Sequence, residues 1–277
     1  MNLRPTIHCP CNGAHVREVF SYDAPPEGET RFDLKDVLYK RAYDRCGLCE
    51  HFFARHAMDL TALYSTEYVD ATYGGVEGMR LRLETLQALP PDRSDNAGRV
   101  SRILEYAQNV LQVSSDPPSI LDVGAGIGVF PAAIKEAGWQ VTAVEPDVRT
   151  ARHLREAVGV NAIAGTLYEL DSERVGRFDV VTFNKVLEHV EDPVALLRKG
   201  AEFVETDGFL YAELPDVAAA ADGSGREEFF IEHHHVFRPQ SFAALADRAG
   251  LSLATIERLR EPSGKWTMRA FISKAVR

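Results

Sequence analysis

"SILDVGAGIGVFPAAIKEAGWQVTAVEPD", Ser119 to Asp147, is the stretch on which the fold turns. Ser119–Val123 is an apolar run interrupted by one acid, Asp122, and reads as a buried strand. Gly124, Gly126 and Gly128 follow at alternate positions. A helical stretch then runs to Gly138, and a second strand, Gln140–Val144, ends at Glu145. Strand, turn, helix and strand in that order predict a βαβ unit and therefore a parallel sheet.

The loop between strand and helix narrows the ligand. A dinucleotide site uses G-x-G-x-x-G, whose last glycine allows close helix–strand packing beside a pyrophosphate. Three positions after Gly126 stands Val129. The pattern here is Asp-x-Gly-x-Gly-x-Gly, which lets backbone approach a bulky, phosphate-free nucleoside. Glu145, at the tip of the next strand, is placed to accept hydrogen bonds from two ribose hydroxyls. A nicotinamide-dependent oxidoreductase is disfavoured by the missing third glycine.

Downstream segments extend the pattern. "FDVVTFNKVLEHVEDPVALLRKG" (Phe178–Gly200) reads as strand, turn and helix, "GFLYAELPD" (Gly208–Asp216) as a strand, and "QSFAALADRAGL" (Gln240–Leu251) as a late helix. With "ILDVGAGIGVF" and "VTAVEPD", these segments resemble the class I methyltransferases that use S-adenosylmethionine (SAM), over roughly Ser119 to Lys274. The resemblance implies an α/β, Rossmann-like sheet and assigns roles by position. Gly124, Ala125 and Gly126 pass beside the methionine part of the cofactor, and Asp122 anchors that loop or a water near the amino group. Glu145 holds the ribose, and Pro146 and Asp147 flank the adenine. The family often has Gly-Asp after its third strand; here the pair is Gly165-Thr166, and Leu167 covers the ring. Asn184 and Lys185 end the fourth strand near the methionine tail and sulfonium.

The acceptor must be aligned and, if it is a hydroxyl, deprotonated. "LEHVED" offers Glu188 and His189; "FFIEHHHVFRPQSF" offers Glu232 and three consecutive histidines, His233 to His235. In an extended strand neighbouring side chains alternate, so the three cannot all face one site, and packing accounts for the others. "IEHHHVF" resembles the Glu-His-x-x-x-Phe stretch of deoxysugar methyltransferases that carry an N-terminal zinc module. By that resemblance Glu232 and His233 act at the sugar; the family's tyrosine two positions earlier is Phe230 here. His189 is a further candidate base.

All four cysteines fall in the first fifty residues: Cys9 and Cys11, then Cys46 and Cys49. Cys46-Gly-Leu-Cys49 has knuckle spacing, and strand-like "HVREVFSYD" and "DVLYKRAYD" lie between the pairs. Two pairs separated by strands describe a zinc ribbon holding structural zinc tetrahedrally. Cys9-Pro-Cys11 is one residue short for a knuckle, so His8, His15, His51 or His56 could replace a thiolate; a metal-free pair of buried thiols is the alternative. Tyr64, Tyr68 and Tyr73 then cluster beside Gly74 and Gly75, either packing between domains or with one tyrosine reaching the active site. Helices follow at Gly78–Leu89 and Arg99–Gln112, the second with Val100, Ile103, Leu104, Ala107 and Leu111 on one face.

The 277 residues are 45% apolar and 26% charged with net charge −10, ordinary for a folded soluble chain. No apolar run reaches membrane-spanning length, and the first residues have no apolar signal core. A cytoplasmic protein without membrane or nucleic-acid partners is expected, since no basic run is present. The expected organisation is a zinc-ribbon-like module (1–60), an aromatic loop and helical connector (61–115) and a SAM-binding domain (116–277). The expected function is methyl transfer from SAM to oxygen or carbon of a small polar acceptor, a sugar or nucleotide-sugar. The competing readings are a zinc-ribbon ribosomal-RNA methyltransferase and a non-catalytic SAM-binding subunit.

Overall fold

The computed structural model describes residues 7–32, 38–58, 66–111 and 117–274. Its larger sheet has seven strands: β4 (Ser119–Val123), β5 (Gln140–Glu145), β6 (Asn161–Ala164), β7 (Phe178–Asn184), β8 (Val204–Pro215), β10 (Leu251–Arg260) and β11 (Trp266–Lys274). The order is β10-β11-β8-β7-β4-β5-β6. β4 pairs in parallel with both β5 and β7, and β7 with β8, whereas β11 runs antiparallel to β8 and β10. β4 is therefore the switch point, where the order reverses and a crevice opens beyond the carboxyl ends of the strands.

Helices cover both faces of the sheet. On one side lie α2 (Gly75–Gln87), α3 (Asp95–Val110), α4 (Val129–Glu136) and α5 (Val148–His153), packing Met79, Ile103, Phe130, Ile134 and Leu154 against Ile120, Val180 and Phe271. On the other, α7 (Pro193–Ala201) and α8 (Pro239–Arg248) pack Leu196, Leu197, Phe242 and Leu245 against Leu121, Val181 and Leu210. Being buried on both faces explains why β4 reads as unbroken apolar sequence rather than alternation. α3 starts where Ser94 Oγ accepts the Ala97 N–H at 3.2 Å, four residues before the start expected from periodicity.

The N-terminal segment forms a second sheet from β1 (Val16–Tyr22), β2 (Arg41–Cys46) and β3 (Phe52–His56), all antiparallel. Its fourth strand, β9 (His235–Val236), comes from the other end of the chain and pairs antiparallel with β3. The core beneath it is likewise shared: Tyr22, Tyr43, Phe52 and Phe53 pack with Val217, Phe229 and Val236. The four thiols converge at one end of this sheet. Cys9 and Cys49 Sγ are 3.2 Å apart, Cys9 and Cys11 3.4 Å, Cys11 and Cys46 3.5 Å, and all four lie within 4.8 Å of one another. The short Cys9-Pro-Cys11 spacer works because it lies inside a turn, closed by the Asn12 N–H on Cys9 O, with Asn12 at φ 57°. A side chain at Gly13 would lie 2.6 Å from Cys46 Sγ.

Helix α1 (Thr66–Tyr73) joins the two sheets. Tyr64 and the side chain of Tyr68 lie outside the described residues, as does Gln112.

Candidate active site

A cavity of about 650 Å³ opens at the switch point. One end is built by the βαβ unit. Gly124, Gly126 and Gly128 have φ of 69°, 53° and 86°, left-handed values that favour glycine. A side chain at Gly128 would also sit 2.7 Å from Leu154 and Val158, so this glycine sets the approach of α4 to α5. Glu145 Oε2 accepts the Gly126 N–H at 3.0 Å, joining the loop to the tip of β5. Recession into the cavity pushes the Glu145 carboxyl up to about 7. Pro146, Asp147 and Thr166 continue this wall. Asp147 caps α5 through the Arg149 N–H and is paired with the Arg149 guanidinium at 2.9 Å, which also reaches Asp70 on α1. Tyr73, the last residue of α1, lines the cavity over Gly126.

The middle of the cavity is a polar ledge. Asp122 is buried and accepts from Thr182 Oγ1 at 2.7 Å and Asn184 Nδ2 at 2.8 Å; burial raises its carboxyl to about 6 despite those bonds. Lys185 has φ 59°, and its Nζ donates to Thr267 Oγ1 at 2.8 Å. Behind it, Glu213 takes a bidentate contact from Arg99 and further bonds from Arg269 and the Tyr211 hydroxyl. Burial alone would raise Glu213, but Arg99, Lys185 and Arg269 reverse this and hold it at about 2.

The far end is assembled from distant segments. Glu188 and His189 follow β7; Glu232 and His233 sit on the loop before β9; Lys265 ends the β10–β11 turn and Trp266 begins β11. His189 Nδ1–H donates to Glu232 O at 2.9 Å and His233 Nδ1–H to Glu228 O at 3.0 Å. A carbonyl only accepts, so each neutral ring carries its lone pair on Nε2. Burial pushes the His189 imidazole down to about 4 and that of His233 well below the usual range. Burial raises Glu232 to about 7 and Glu188 to about 8.

The loop holding Glu232 and His233 is clamped by the N-terminal sheet. Arg41 and Glu29 form a buried ion pair at 2.6 Å, bridged by the Tyr39 hydroxyl, that also bonds this loop. Arg41 Nη1 donates to Phe229 O at 2.7 Å, and Glu29 Oε2 accepts the Ile231 N–H at 2.7 Å. Tyr43 donates its hydroxyl to His233 O at 2.5 Å, and the Ala54 N–H donates to His234 O at 2.9 Å. On the opposite side the His234 N–H bonds Glu188 O at 2.7 Å. His235 points away from the cavity, its Nδ1 2.9 Å from His51 Nε2.

Residues 94–256 match the family described as "Methyltransferase domain". The chain belongs to that family. An O-methyltransferase of ubiquinone biosynthesis from Xanthomonas euvesicatoria pv. vesicatoria (strain 85-10) is 32% identical over 186 residues, covering 61% of this chain and 76% of that protein. Its counterpart in Bordetella avium (strain 197N) is 31% identical over 179 residues, 58% and 69% of the two chains. Among solved structures, magnesium protoporphyrin IX methyltransferase from Synechocystis PCC 6803, with bound S-adenosylhomocysteine (SAH), superposes with a TM-score of 0.58 at 13% identity, covering 78% of this chain and all of that one. The 1,6-didemethyltoxoflavin-N1-methyltransferase of Burkholderia thailandensis gives 0.53 at 21% identity, with 82% and 96% covered. These structures share the fold.

The protein is thus a SAM-dependent methyltransferase of the class I fold. Of the site residues expected from the sequence, Asp122, Gly124, Ala125, Gly126, Glu145, Pro146, Thr166, Asn184, Lys185, His189, Glu232 and His233 all line this cavity of the methyltransferase. Leu167 does not; it is buried in the core beneath α7. Sequence reading missed Arg99, which α3 brings into the cavity, and Lys265 and Trp266 at the β10–β11 hairpin. An arginine on an apolar-faced helix was the visible signal for the first. Nothing in the sequence marked the hairpin.

Proposed function

We propose that this methyltransferase acts on a hydroxyl oxygen of a small polar acceptor held between the Glu188–His189 turn and the Glu232–His233 loop. The observation that carries the reading is the continuity of one cavity from a nucleoside-shaped end to a cluster of proton-accepting side chains. SAM, when bound, supplies a methyl group activated by its sulfonium. Glu145 holds the ribose hydroxyls, while Pro146, Asp147 and Thr166 face the adenine. Backbone at Gly124–Gly126, with Asp122, Asn184 and Lys185, receives the methionine end. Phe230 and Trp266 provide apolar walls for the acceptor, and His189, Glu232 and His233 orient its hydroxyl and exclude water. Similarity to O-methyltransferases of ubiquinone biosynthesis supports oxygen as the methylated atom. A sugar or nucleotide-sugar acceptor is the second reading, favoured by Glu232 and His233 standing together on the acceptor wall.

In the same proposal Cys9, Cys11, Cys46 and Cys49 hold zinc. Tetrahedral Zn–S bonds of about 2.3 Å place sulfurs about 3.8 Å apart, and the sulfur separations lie around that value. No histidine is required, because four sulfurs converge and His51 and His56 are bonded elsewhere. The division at residues 60 and 115 remains part of the proposal, with the zinc module shaping the acceptor wall.

The test is a transfer assay with SAM labelled in its methyl group, against catechols, phenols and nucleotide-sugars. Labelled ether product from one class, formed more slowly by Glu145→Ala at subsaturating SAM, supports the reading. Product labelled on carbon or nitrogen overturns the oxygen assignment.

A further inference from the structure

Glu188 stands apart from every other acid around the cavity. Its residue is completely buried, it lines the cavity wall, and neither carboxyl oxygen has a hydrogen-bond partner on another described residue. Five other acids of the cavity have donors or ion partners: Asp122 has Thr182 and Asn184, Glu145 has Gly126, Asp147 has Arg149, Glu227 has Lys265, and Glu228 has Arg226. A carboxylate left bare in a buried site is strongly disfavoured, so such a group stays protonated unless a positive charge arrives.

The surroundings supply too little positive charge in the empty cavity. From β7, Lys185 faces Glu188, but it lies 3.9 Å from the buried Glu213 on β8, which shares its field. Lys265 on the hairpin turn is paired with Glu227 at 3.0 Å. His189 and His233, with ring nitrogens within 4.8 Å of the Glu188 carboxyl, are held neutral. Glu232, on the same loop as His233, adds no positive charge. Burial therefore dominates, and the carboxyl sits at about 8.

We infer that Glu188 is the counter-charge of the sulfonium: protonated in the empty protein, ionised when SAM binds, and reprotonated by the acceptor hydroxyl. This rests on the reading of the cavity as a site for methyl transfer to oxygen. The charges balance at each stage. Binding of SAM brings one positive charge and expels the Glu188 proton to solvent. In transfer the oxygen–carbon bond forms, the carbon–sulfur bond breaks with its pair on sulfur, and the hydroxyl proton passes to Glu188. SAH and protonated Glu188 are both neutral, so the cavity returns to the charge of its empty state. A base that ionises only beside the methyl donor also cannot act on the acceptor alone.

The inference is tested without knowing the acceptor. SAM and SAH are titrated calorimetrically into the zinc-loaded chain at about pH 7.5, in buffers of different ionisation enthalpy, to count protons released on binding. SAM should release up to about one proton more than SAH. The difference should vanish in Glu188→Gln, which keeps SAH affinity, and should fade for the unaltered chain above about pH 9. Equal release by SAM and SAH overturns the inference, as does a difference kept in Glu188→Gln. If Glu188→Gln does not fold, the pH series on the unaltered chain decides: a difference that persists above about pH 9 is not a carboxyl of this kind. Failure to bind SAH at all is a separate result, one that removes the cofactor reading itself.

Discussion

The two ends of the cavity are built by different means. The cofactor end comes from one contiguous βαβ unit, in which the glycine loop, the helix and Glu145 are fixed by bonds to near neighbours in sequence. The acceptor end is held by contacts that span the chain: Arg41 to Phe229, Glu29 to Ile231, Tyr43 to His233 and β3 to β9. The first should survive damage to the N-terminal sheet; the second should not.

Metal removal gives the largest expected effect. Structural zinc contributes about 10 kcal/mol or more to folding of small modules. Cys49→Ser, or chelation, should abolish turnover and lower the melting temperature while SAH affinity stays within about threefold. Loss of both functions together would mean that the two ends are one cooperative unit. Next is Arg41→Met, which strands Glu29 as a buried charge beside the acceptor loop. Breaking such a pair costs about 3–5 kcal/mol. Hydrogen exchange should rise across residues 229–236 and stay unchanged across 119–145; uniform deprotection would break the comparison from the other side.

Damage to the cofactor end is expected to be smaller and of opposite selectivity. Glu145→Ala removes a hydrogen-bonding carboxylate and should weaken SAH binding by about 1–3 kcal/mol in calorimetry, leaving melting nearly unchanged. A pH effect tests the acceptor end without disrupting either fold. The Glu188 carboxyl lies at about 8 when folded, against an ordinary value of 4.5. Between those limits the folded chain keeps a proton that the unfolded chain releases, so stability falls as pH rises through the window. Glu188→Gln should therefore raise the melting temperature by several degrees near pH 8 and by little near pH 4.5. An equal gain at both pH values would point to packing instead.

The same contrast explains what could be read in advance. The strand Ser119–Val123, the turn and Glu145 are legible because each constrains the next few residues. The cysteine cluster was legible as a set, although the short Cys9-Pro-Cys11 spacer left histidine ligands open; the left-handed Asn12 lets four sulfurs meet. The triple histidine was only half legible. Alternation along a strand applies to His235 and Val236, but the chain bends through Ile231 to His234, so backbone bonds to Tyr43, Ala54 and Glu188 set where His233 and His234 lie. No local pattern reports those partners. Arg99 was legible as part of an amphipathic helix but its destination was not, and Lys265 gave no signal, since helix and hairpin placement is a tertiary outcome.

The pairing of β3 with β9 also bears on how the chain is made. During synthesis, β1, β2 and β3 emerge long before His235 and Val236. Until then β3 presents an open hydrogen-bonding edge beside Phe52 and Phe53, the kind of edge that recruits other strands. A nascent chain stalled before β9 is thus an aggregation hazard, and the segment that carries Glu232 and His233 to the acceptor wall is also the cover that closes it.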